Sequence, residues 1–329
     1  MLYLPERLYI YNVSKLIQMS KLIIGLGDDR VAIDARALRY VDPAGLCTLG
    51  CVLRKLDRFG IGIELINLDE DMVAYLERMN LFRNCRVINA PDEAGARRDR
   101  TDSLVELRCV ATIAEVEDCA RRLAQTMVGA VSDVYLDDRP DEMTGKSDVD
   151  RFEQPLQYVL GELLENALTH ARARGHNNAN AWVAAQYYPK KHVVRLAVVD
   201  DGCGFRESLR GHPALAADTH FAAIEAALQP RVSRNREVGL DGDPTNQGVG
   251  LTVTRQIALS AGGSIALFSG DAWLLDHEEG RREPREISSW EGVGVFVELD
   301  RERLRDVNMA SIMRALPGYA PVKGLKFEG

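Results

Sequence analysis

The chain has 329 residues, 46% of them hydrophobic and 27% charged, and a formal net charge of −8. This length suffices for two domains that each bury a core. The excess of acid argues against nucleic acid as the main ligand, because nonspecific binding to phosphate needs a basic surface. No apolar run reaches the roughly 20 residues of a bilayer span, and the first residues lack a signal-peptide pattern. We therefore expect a cytoplasmic protein with no membrane partner.

The six cysteines do not form any CxxC pair, and no histidine lies close enough in sequence to complete a zinc site with them. We interpret them as buried reduced thiols rather than metal ligands. They are Cys47, Cys51, Cys85, Cys109, Cys119 and Cys203.

The first ninety residues alternate between short apolar strands and helices. The predicted elements are a helix at 13–24, a strand at 31–34, a turn at 41–45, a helix at 46–59, a strand at 62–66 and a helix at about 69–79. Ser14 is a candidate cap for the first helix, and Asn67 or Asp69 for the last. Alternation of this kind indicates an α/β layer, in which helices cover one sheet.

Several positions in this stretch carry a family resemblance; they are Asp42, Gly45, Leu46, Asn67, Leu81 and Phe82. The pattern resembles the STAS domain of anti-sigma factor antagonists, with its (I/V)DSSGL turn, a strand that ends in Asn and a helix that closes on Leu-Phe. The resemblance implies a STAS-like α/β layer domain over residues 1–90. Pro43 replaces the serine that this family phosphorylates, which implies a docking or dimerisation module without that phosphoacceptor. Thr48 is an alternative hydroxyl, although a lone threonine there is more often structural.

Residues 91–103 are charged, contain Pro91 and Gly95 and show no apolar periodicity. This composition predicts a linker between the first domain and a second domain over residues 104–329. The second domain begins with a predicted strand at 104–110 and a helix at 113–127. Further on, two strands at 181–188 and 193–200 are predicted to pair.

A predicted helix at 160–171 lies between the helix at 113–127 and the strand at 181–188, and its two faces differ. One face is apolar. The other carries Glu162, Glu165, Asn166, Thr169 and His170. Lys and Arg are absent from 161–171, so this polar face indicates a cleft rather than a solvated surface. Glu162 and Asn166 lie one turn apart and point the same way.

Glycine motifs follow at two places. Asp200, Gly202 and Gly204 stand at the end of a strand, where a carboxylate can accept a hydrogen bond from the exocyclic amine of adenine and glycines let a flat ring approach the backbone. A second motif precedes a predicted helix at 252–260, where free backbone N–H groups favour phosphate. It consists of Gln247, Gly248, Val249, Gly250 and Leu251. The stretch between the motifs is long enough for a lid.

The order of these elements resembles the GHKL ATPase superfamily, which includes gyrase, histidine kinases, MutL and anti-sigma serine kinases. The resemblance covers roughly residues 104–299 and implies a GHKL-type α/β sandwich that binds ATP and Mg²⁺. It makes Glu162 the catalytic acid or base and Asn166 the magnesium ligand. The implied nucleotide-binding set is Asn166, Asp200, Gly202, Gly204, Gln247, Gly248, Val249, Gly250 and Leu251. The last strand reads Gly292 to Phe296 without the threonine of many relatives, which leaves a hydroxyl contact to adenine in doubt.

Two activities stay open at this point, and so does the question of whether the chain is an enzyme. The absence of histidine before His170 argues against histidine autophosphorylation, and we expect His170 to support the magnesium ligand rather than touch phosphate. Anti-sigma serine kinases are the subfamily that fits best. The first hypothesis is a Mg-ATP-dependent serine/threonine kinase or anti-sigma-like factor with a non-phosphorylatable STAS-like module. The alternative is a nucleotide-gated interaction module that binds or slowly hydrolyses ATP.

The expected partners are proteins, with STAS or sigma-factor-like regulators as candidates, and a homodimer is left open. Near the end of the chain, the polar stretch 276–286 precedes a predicted last strand at 293–299. A solvated hairpin is the default interpretation of this stretch, and a partner surface is the alternative. Residues 301–315 are predicted to form a short charged helix.

Overall fold

The structure is a computed structural model. It describes residues 2–91, 100, 103–132, 139, 147–172, 175–232, 249–280, 282–304 and 306–316. Side chains are described for these residues except 130–132, 148–152, 170, 283 and 310. Most of the predicted linker, residues 92–99 and 101–102, lies outside this part of the chain.

The N-terminal module contains short strands and four helices among the described residues. In chain order they are β1 (Leu2–Tyr3), β2 (Arg7–Leu8), α1 (Val13–Leu26), β3 (Arg30–Asp34), β4 (Tyr40–Val41), α2 (Pro43–Arg58), β5 (Gly62–Ile66), α3 (Glu70–Arg78) and α4 (Leu81–Asn84). Strands β1, β3 and β5 form a parallel sheet in the order β1-β3-β5, and β2 pairs with β4.

The remaining elements build a larger antiparallel sheet with helices on one face. They are β6 (Leu104–Val110), α5 (Val116–Ser132), α6 (Asp148–Ala171), β7 (Ala181–Tyr188), β8 (Val193–Asp200), α7 (Gly204–Ser208), α8 (His220–Ala227), α9 (Gly250–Ser260), β9 (Ser264–His277), β10 (Arg282–Asp300), α10 (Arg301–Leu304) and α11 (Met309–Arg314). The strand order is β6-β7-β8-β10-β9. The mixed α/β fold class expected from the sequence is confirmed.

Helix α2 is buried on every side along its first three turns, because the run from Pro43 to Leu53 contains no charged residue. It begins earlier than predicted, at Pro43, since proline suits the first helical position and Asp42 caps the helix by accepting a hydrogen bond from Gly45 N at 3.0 Å. The predicted turn at 41–45 is therefore partly wrong. Thr48 is fully buried and donates to Ala44 O at 2.8 Å, which gives it a structural role.

The two faces of the five-stranded sheet belong to different hydrophobic cores. On one face, Trp182, Phe268 and Trp290 join the residues of α1, α2 and the parallel sheet in a single cluster. On the other face, α5, α6 and α9 cover a second cluster. The N-terminal module is therefore packed directly on the back of the large sheet. The domain boundaries derived from the sequence stay a prediction.

Strands β9 and β10 form a long hairpin that extends past the sheet towards α1. Their outer arms pair from Arg282 opposite Asp276 to Glu286 opposite Ala272, followed by irregular register around Trp290. The polar stretch 276–286 is thus the end of a hairpin, and β10 starts eleven residues before the predicted strand. The structure overturns the expected capping role of Ser14, because Asn12 precedes α1 and Ser14 Oγ instead accepts from Ser288 N at 3.1 Å.

The structure also bears on the cysteines, the end of the chain and membrane crossing. The six cysteines are free, and all except the half-buried Cys109 are buried. The predicted helix at 301–315 is two short helices, α10 and α11. In the described ranges, none of the helices combines the length and the apolar character that crossing a bilayer demands.

Candidate functional site

A cavity lies between α6 and the sheet, close to where β8 ends. It encloses about 750 Å³ of empty space when the solvent-continuous space at its mouth is included. Its apolar wall includes Ala167, Val198 and Leu251. Polar groups on the same wall come from Asn166 and Asp200, the two residues singled out in the helix motif and the first glycine motif. A mostly apolar cleft with a few convergent polar groups is the usual form of a small-molecule site.

Asp200 ends β8 and is 3% exposed. Its Oδ1 accepts hydrogen bonds from Gly202 N at 2.9 Å and from Val293 N at 3.2 Å. Burial raises the pKa of this carboxyl to about 8, and the charge of the neighbouring Asp201 raises it as well, against the lowering effect of the two backbone donors. Both donors reach Oδ1, so within the described part of the chain Oδ2 is the oxygen available to a ligand in the cavity that Asp200 lines.

The glycines after Asp200 permit close packing around it. A Cβ on Gly202 would lie 2.2 Å from Ala171 Cα, so this residue lets the loop touch the end of α6. Gly204 has a positive φ of 75° and lines the cavity. A Cβ on Gly292 would lie 1.9 Å from Asp200 O, which shows how tightly β10 backs the loop. The structure therefore explains Gly202 by backbone packing and places Gly204 at the cavity.

Asn166 lies one turn after Glu162 on α6 and lines the cavity. Its Oδ1 is buried and has no hydrogen-bond partner within the described part of the chain. A buried carbonyl oxygen without a partner is costly. A Mg²⁺ ion prefers oxygen ligands and takes few of them from protein, so this oxygen fits a magnesium ligand.

Glu162 is 3% exposed and does not line the cavity itself. Its Oε1 accepts a hydrogen bond from the Tyr158 hydroxyl, and its Oε2 accepts one from Val249 N at 3.1 Å. An ionised carboxylate keeps further lone pairs after these two bonds and remains able to take a proton. These two bonds hold the Glu162 carboxylate between Tyr158 on its own helix and Val249 at the start of α9.

Glu165, the other acid on this stretch of α6, is half-buried. Burial and the nearby Glu162 raise its pKa. His170 belongs to the same helix, and its side chain lies outside the described residues. The sequence-based role of His170 stays a prediction.

The second glycine motif is described from Val249 onwards, while Gln247 and Gly248 lie outside the described residues. Val249 precedes the first turn of α9, and Leu251 lines the cavity. A Cβ on Gly250 would lie 2.9 Å from both Glu162 Cβ and Leu163 N. The start of α9 therefore packs backbone to backbone against the catalytic candidate on α6.

Three contributors to the site were missed from the sequence. Tyr158 lies four residues before Glu162, a spacing that signals the contact. Val293 has no side-chain hydroxyl, and it contributes to the site through its backbone N–H, which donates to Asp200. Trp290 Nε1 donates to Asp200 O at 2.9 Å, a contact between residues 90 positions apart that no local pattern reveals.

Comparison with known proteins identifies the part of the chain that carries this cavity. Residues 152–301 match the family model described as histidine kinase-, DNA gyrase B- and HSP90-like ATPase. The matched stretch includes α6 from residue 152 onwards, the loop that follows Asp200 and the start of α9. Comparison with curated proteins gave no match. The chain thus contains a GHKL-type ATPase domain at residues 152–301, and domains of this type bind ATP.

Proposed function

We propose that this protein is a regulatory ATP-binding protein in which Mg-ATP occupies the cavity between α6, β8 and the start of α9. The observation that carries the proposal is the convergence of Asp200 and the unpartnered Oδ1 of Asn166 on one mostly apolar cavity. Asp200 supplies an acceptor for the exocyclic amine of adenine, and Asn166 supplies an oxygen ligand for Mg²⁺. The family match over residues 152–301 supports the same assignment.

Each residue has a separate task in this proposal. Asp200 accepts a hydrogen bond from the exocyclic amine of adenine through the oxygen that its backbone donors leave open. Asn166 offers Oδ1 to Mg²⁺, which, when bound, neutralises phosphate charge. The N–H groups at the start of α9 face anionic oxygens. Glu162 takes a proton from the attacking hydroxyl group at the γ-phosphate, as its position one turn from Asn166 allows.

For the N-terminal module, we propose a STAS-like role in communication rather than as a phosphoacceptor. Pro43 and Thr48 are both buried, so the position of the usual phosphoserine and the nearest hydroxyl on α2 are covered by the core. The module shares that core with the back of the ATPase sheet. This packing supports a nucleotide-gated interaction module, in which ATP occupancy changes affinity for a protein partner.

A serine/threonine kinase is the second candidate, and the orientation of Glu162 favours it equally. A base one helical turn from the proposed magnesium ligand can activate water or the hydroxyl of a bound protein. The resemblance to anti-sigma serine kinases and to STAS domains makes STAS or sigma-factor-like regulators the proposed partners.

The two functions are separated by following γ-labelled ATP with and without fractionated lysate. The nucleotide-gated module predicts labelled inorganic phosphate, or intact ATP, and a partner affinity that differs between the ATP-bound and ADP-bound forms. The kinase predicts a labelled protein that disappears in the Glu162→Gln variant. Equal partner affinity in both nucleotide states, with label on protein, would reject the gated module in favour of the kinase.

A further inference from the structure

The end of α2 meets the loop that follows Asp200. The guanidinium of Arg58 forms an ion pair with the Asp201 carboxylate and donates to Asn178 O. Asp201 has only 5% of its side chain exposed and also accepts from Asn180 N at 2.8 Å. A carboxylate this deeply buried depends strongly on its cation. The cation is supplied by the N-terminal module, 143 residues away in sequence.

A second contact from α2 reaches β10, the strand that packs against Asp200. Lys55, one turn before Arg58, places Nζ 3.1 Å from Glu291 Oε2 and 5.1 Å from the ring centre of Trp290. Trp290 is 2% exposed and donates from Nε1 to Asp200 O at 2.9 Å. Helix α2 therefore contacts both the residue that follows Asp200 and the tryptophan that holds the carbonyl of Asp200.

These contacts bear on base recognition because Asp200 must present one oxygen at hydrogen-bond distance from an amine. The charge on Asp201 already raises the pKa of Asp200, and Arg58 is the cation paired with that charge. Loss of Arg58 would leave a buried carboxylate without its ion pair beside the base-binding one. The loop would then have to shift towards solvent to hydrate Asp201, and Asp200, the last residue of β8, is joined directly to that loop.

We propose that Arg58 is a positioning residue for recognition of the nucleotide base, and that it acts by holding the Asp200 loop through Asp201. The inference rests on the proposed ATP site and adds to it a residue outside the ATPase domain. Among the described residues, the contacts of Arg58 are with Asp201 and Asn178, and not with Asn166 or α9, where the phosphates are proposed to bind. The effect of Arg58 should therefore fall on the base and spare the triphosphate.

The test compares Arg58→Ala with Arg54→Ala in the full-length protein. Arg54 lies on the same helix one turn earlier and is 44% exposed, and its ion-pair partner within the described part of the chain is Asp57, at 3.6 Å. Affinities for ATP and for GTP are measured by competition against one fluorescent ATP analogue. GTP carries a carbonyl where ATP carries the amine, so it offers Asp200 no donor at that position of the ring.

Arg58→Ala is expected to weaken ATP binding about tenfold, the scale of outer-shell positioning effects, while GTP binding changes by less than about twofold. Arg54→Ala should match wild type. Arg58→Lys keeps a cation for Asp201 but loses the second guanidinium nitrogen, which donates to Asn178 O. It should recover part of the preference for ATP over GTP. This variant also tests the inference if Arg58→Ala proves unstable. Unchanged ATP preference in Arg58→Ala and Arg58→Lys would overturn the inference, as would an equal loss for both nucleotides. Failure of the wild type to bind ATP would instead reject the proposed function on which the inference depends.

Discussion

Glu162 receives hydrogen bonds from two helices, through Tyr158 on its own helix and Val249 N at the start of α9. This arrangement fixes the direction of the carboxylate before any nucleotide arrives. A base that is already oriented accelerates a reaction more than one that must first move into place, because a displaced group loses most of its effect on rate. The role of Glu162 as the base is the central residue-scale hypothesis.

Glu162→Gln should leave ATP affinity within about twofold and lower turnover by about 10² to 10⁴-fold. Glutamine has the same shape, so its oxygen still accepts from Val249 N while its amide serves Tyr158. Steady-state turnover and equilibrium ATP binding are the measurements. Glu165→Gln, on the same helix, is the matched control and should retain turnover. Wild-type turnover in Glu162→Gln would show that another group takes the proton.

The proposed role of Asp200 predicts that ATP binding depends on pH. The free carboxyl, with its pKa of about 8, is mostly neutral at pH 7, whereas a bound adenine amine requires the ionised acceptor. Affinity should therefore rise about tenfold between about pH 7 and about pH 9, and binding near pH 7 should release close to one proton. Calorimetry in buffers of different ionisation enthalpy measures that proton. Proton uptake at pH 7, or an affinity that falls as pH rises, would contradict the assignment.

At the scale of elements, the contact between α6 and α9 depends on Gly250, whose hydrogen leaves room for Glu162 and Leu163 N. Gly250→Ala should push the start of α9 away from α6 and break the bond from Val249 N to Glu162. Turnover should fall at least about tenfold, because Glu162, the proposed base, loses the orienting bond from Val249 N. Gly161→Ala is the control.

Gly161 lies on α6 itself, and a Cβ there would meet Ala120 Cβ at an ordinary 3.9 Å. Its replacement should stabilise the helix by up to about 1 kcal/mol and leave turnover intact. Thermal unfolding and turnover are measured on Gly250→Ala and Gly161→Ala to test whether the packing of α9 on α6 orients the base. If the two glycine variants behave alike, the packing of α9 on α6 does not orient the base.

The sequence predicted the central strands well and the ends of the hairpin poorly, for a physical reason. Strands β6, β7 and β8 have the predicted bounds, because β6 alternates between apolar and polar residues and β7 and β8 are largely apolar runs. The outer arm of β10 contains Arg282, Pro284 and Glu286, which by pattern indicate a solvated loop. Its pairing depends on the partner strand β9 and on contact with α1, and neither is a local property.

The site was predictable where its residues share one helix or one turn. Glu162 and Asn166 are four positions apart, and Asp200, Gly202 and Gly204 follow one strand, so spacing alone groups them. The contacts from Val293 and Arg58 join residues separated by 93 and 143 positions and require the folded sheet. A signal for the packing of α2 was nonetheless present, since a helix without charge over eleven residues is typical of one buried on all sides.

At the scale of the whole molecule, the N-terminal module and the back of the ATPase sheet share one hydrophobic core. The chain contains three tryptophans, and Trp182, Trp273 and Trp290 all belong to that shared core. Tryptophan fluorescence therefore reports on the junction between the module and the sheet, whereas far-ultraviolet circular dichroism reports on all helices and strands.

We predict that the two signals change together in one unfolding transition in urea. Separation of the module from the sheet would expose a large apolar face, so the module should not detach before the rest unfolds. Arg54→Ala, which leaves the junction intact, should show the same coincidence. A fluorescence transition at clearly lower urea than the circular dichroism transition would show that the module is a separate cooperative unit.

The central claim is that Mg-ATP binds in the cavity that joins Asp200 to Asn166. Calorimetric titration of ATP into wild type and Asp200→Asn, each with and without Mg²⁺, tests it most directly. Asparagine keeps an oxygen for Gly202 N and Val293 N but turns a donor towards the adenine amine. We predict Mg²⁺-enhanced binding to wild type and a loss of at least about a hundredfold in the variant, the scale of an unpaired buried polar contact. Equal affinity in wild type and Asp200→Asn, or no binding to wild type, would contradict it.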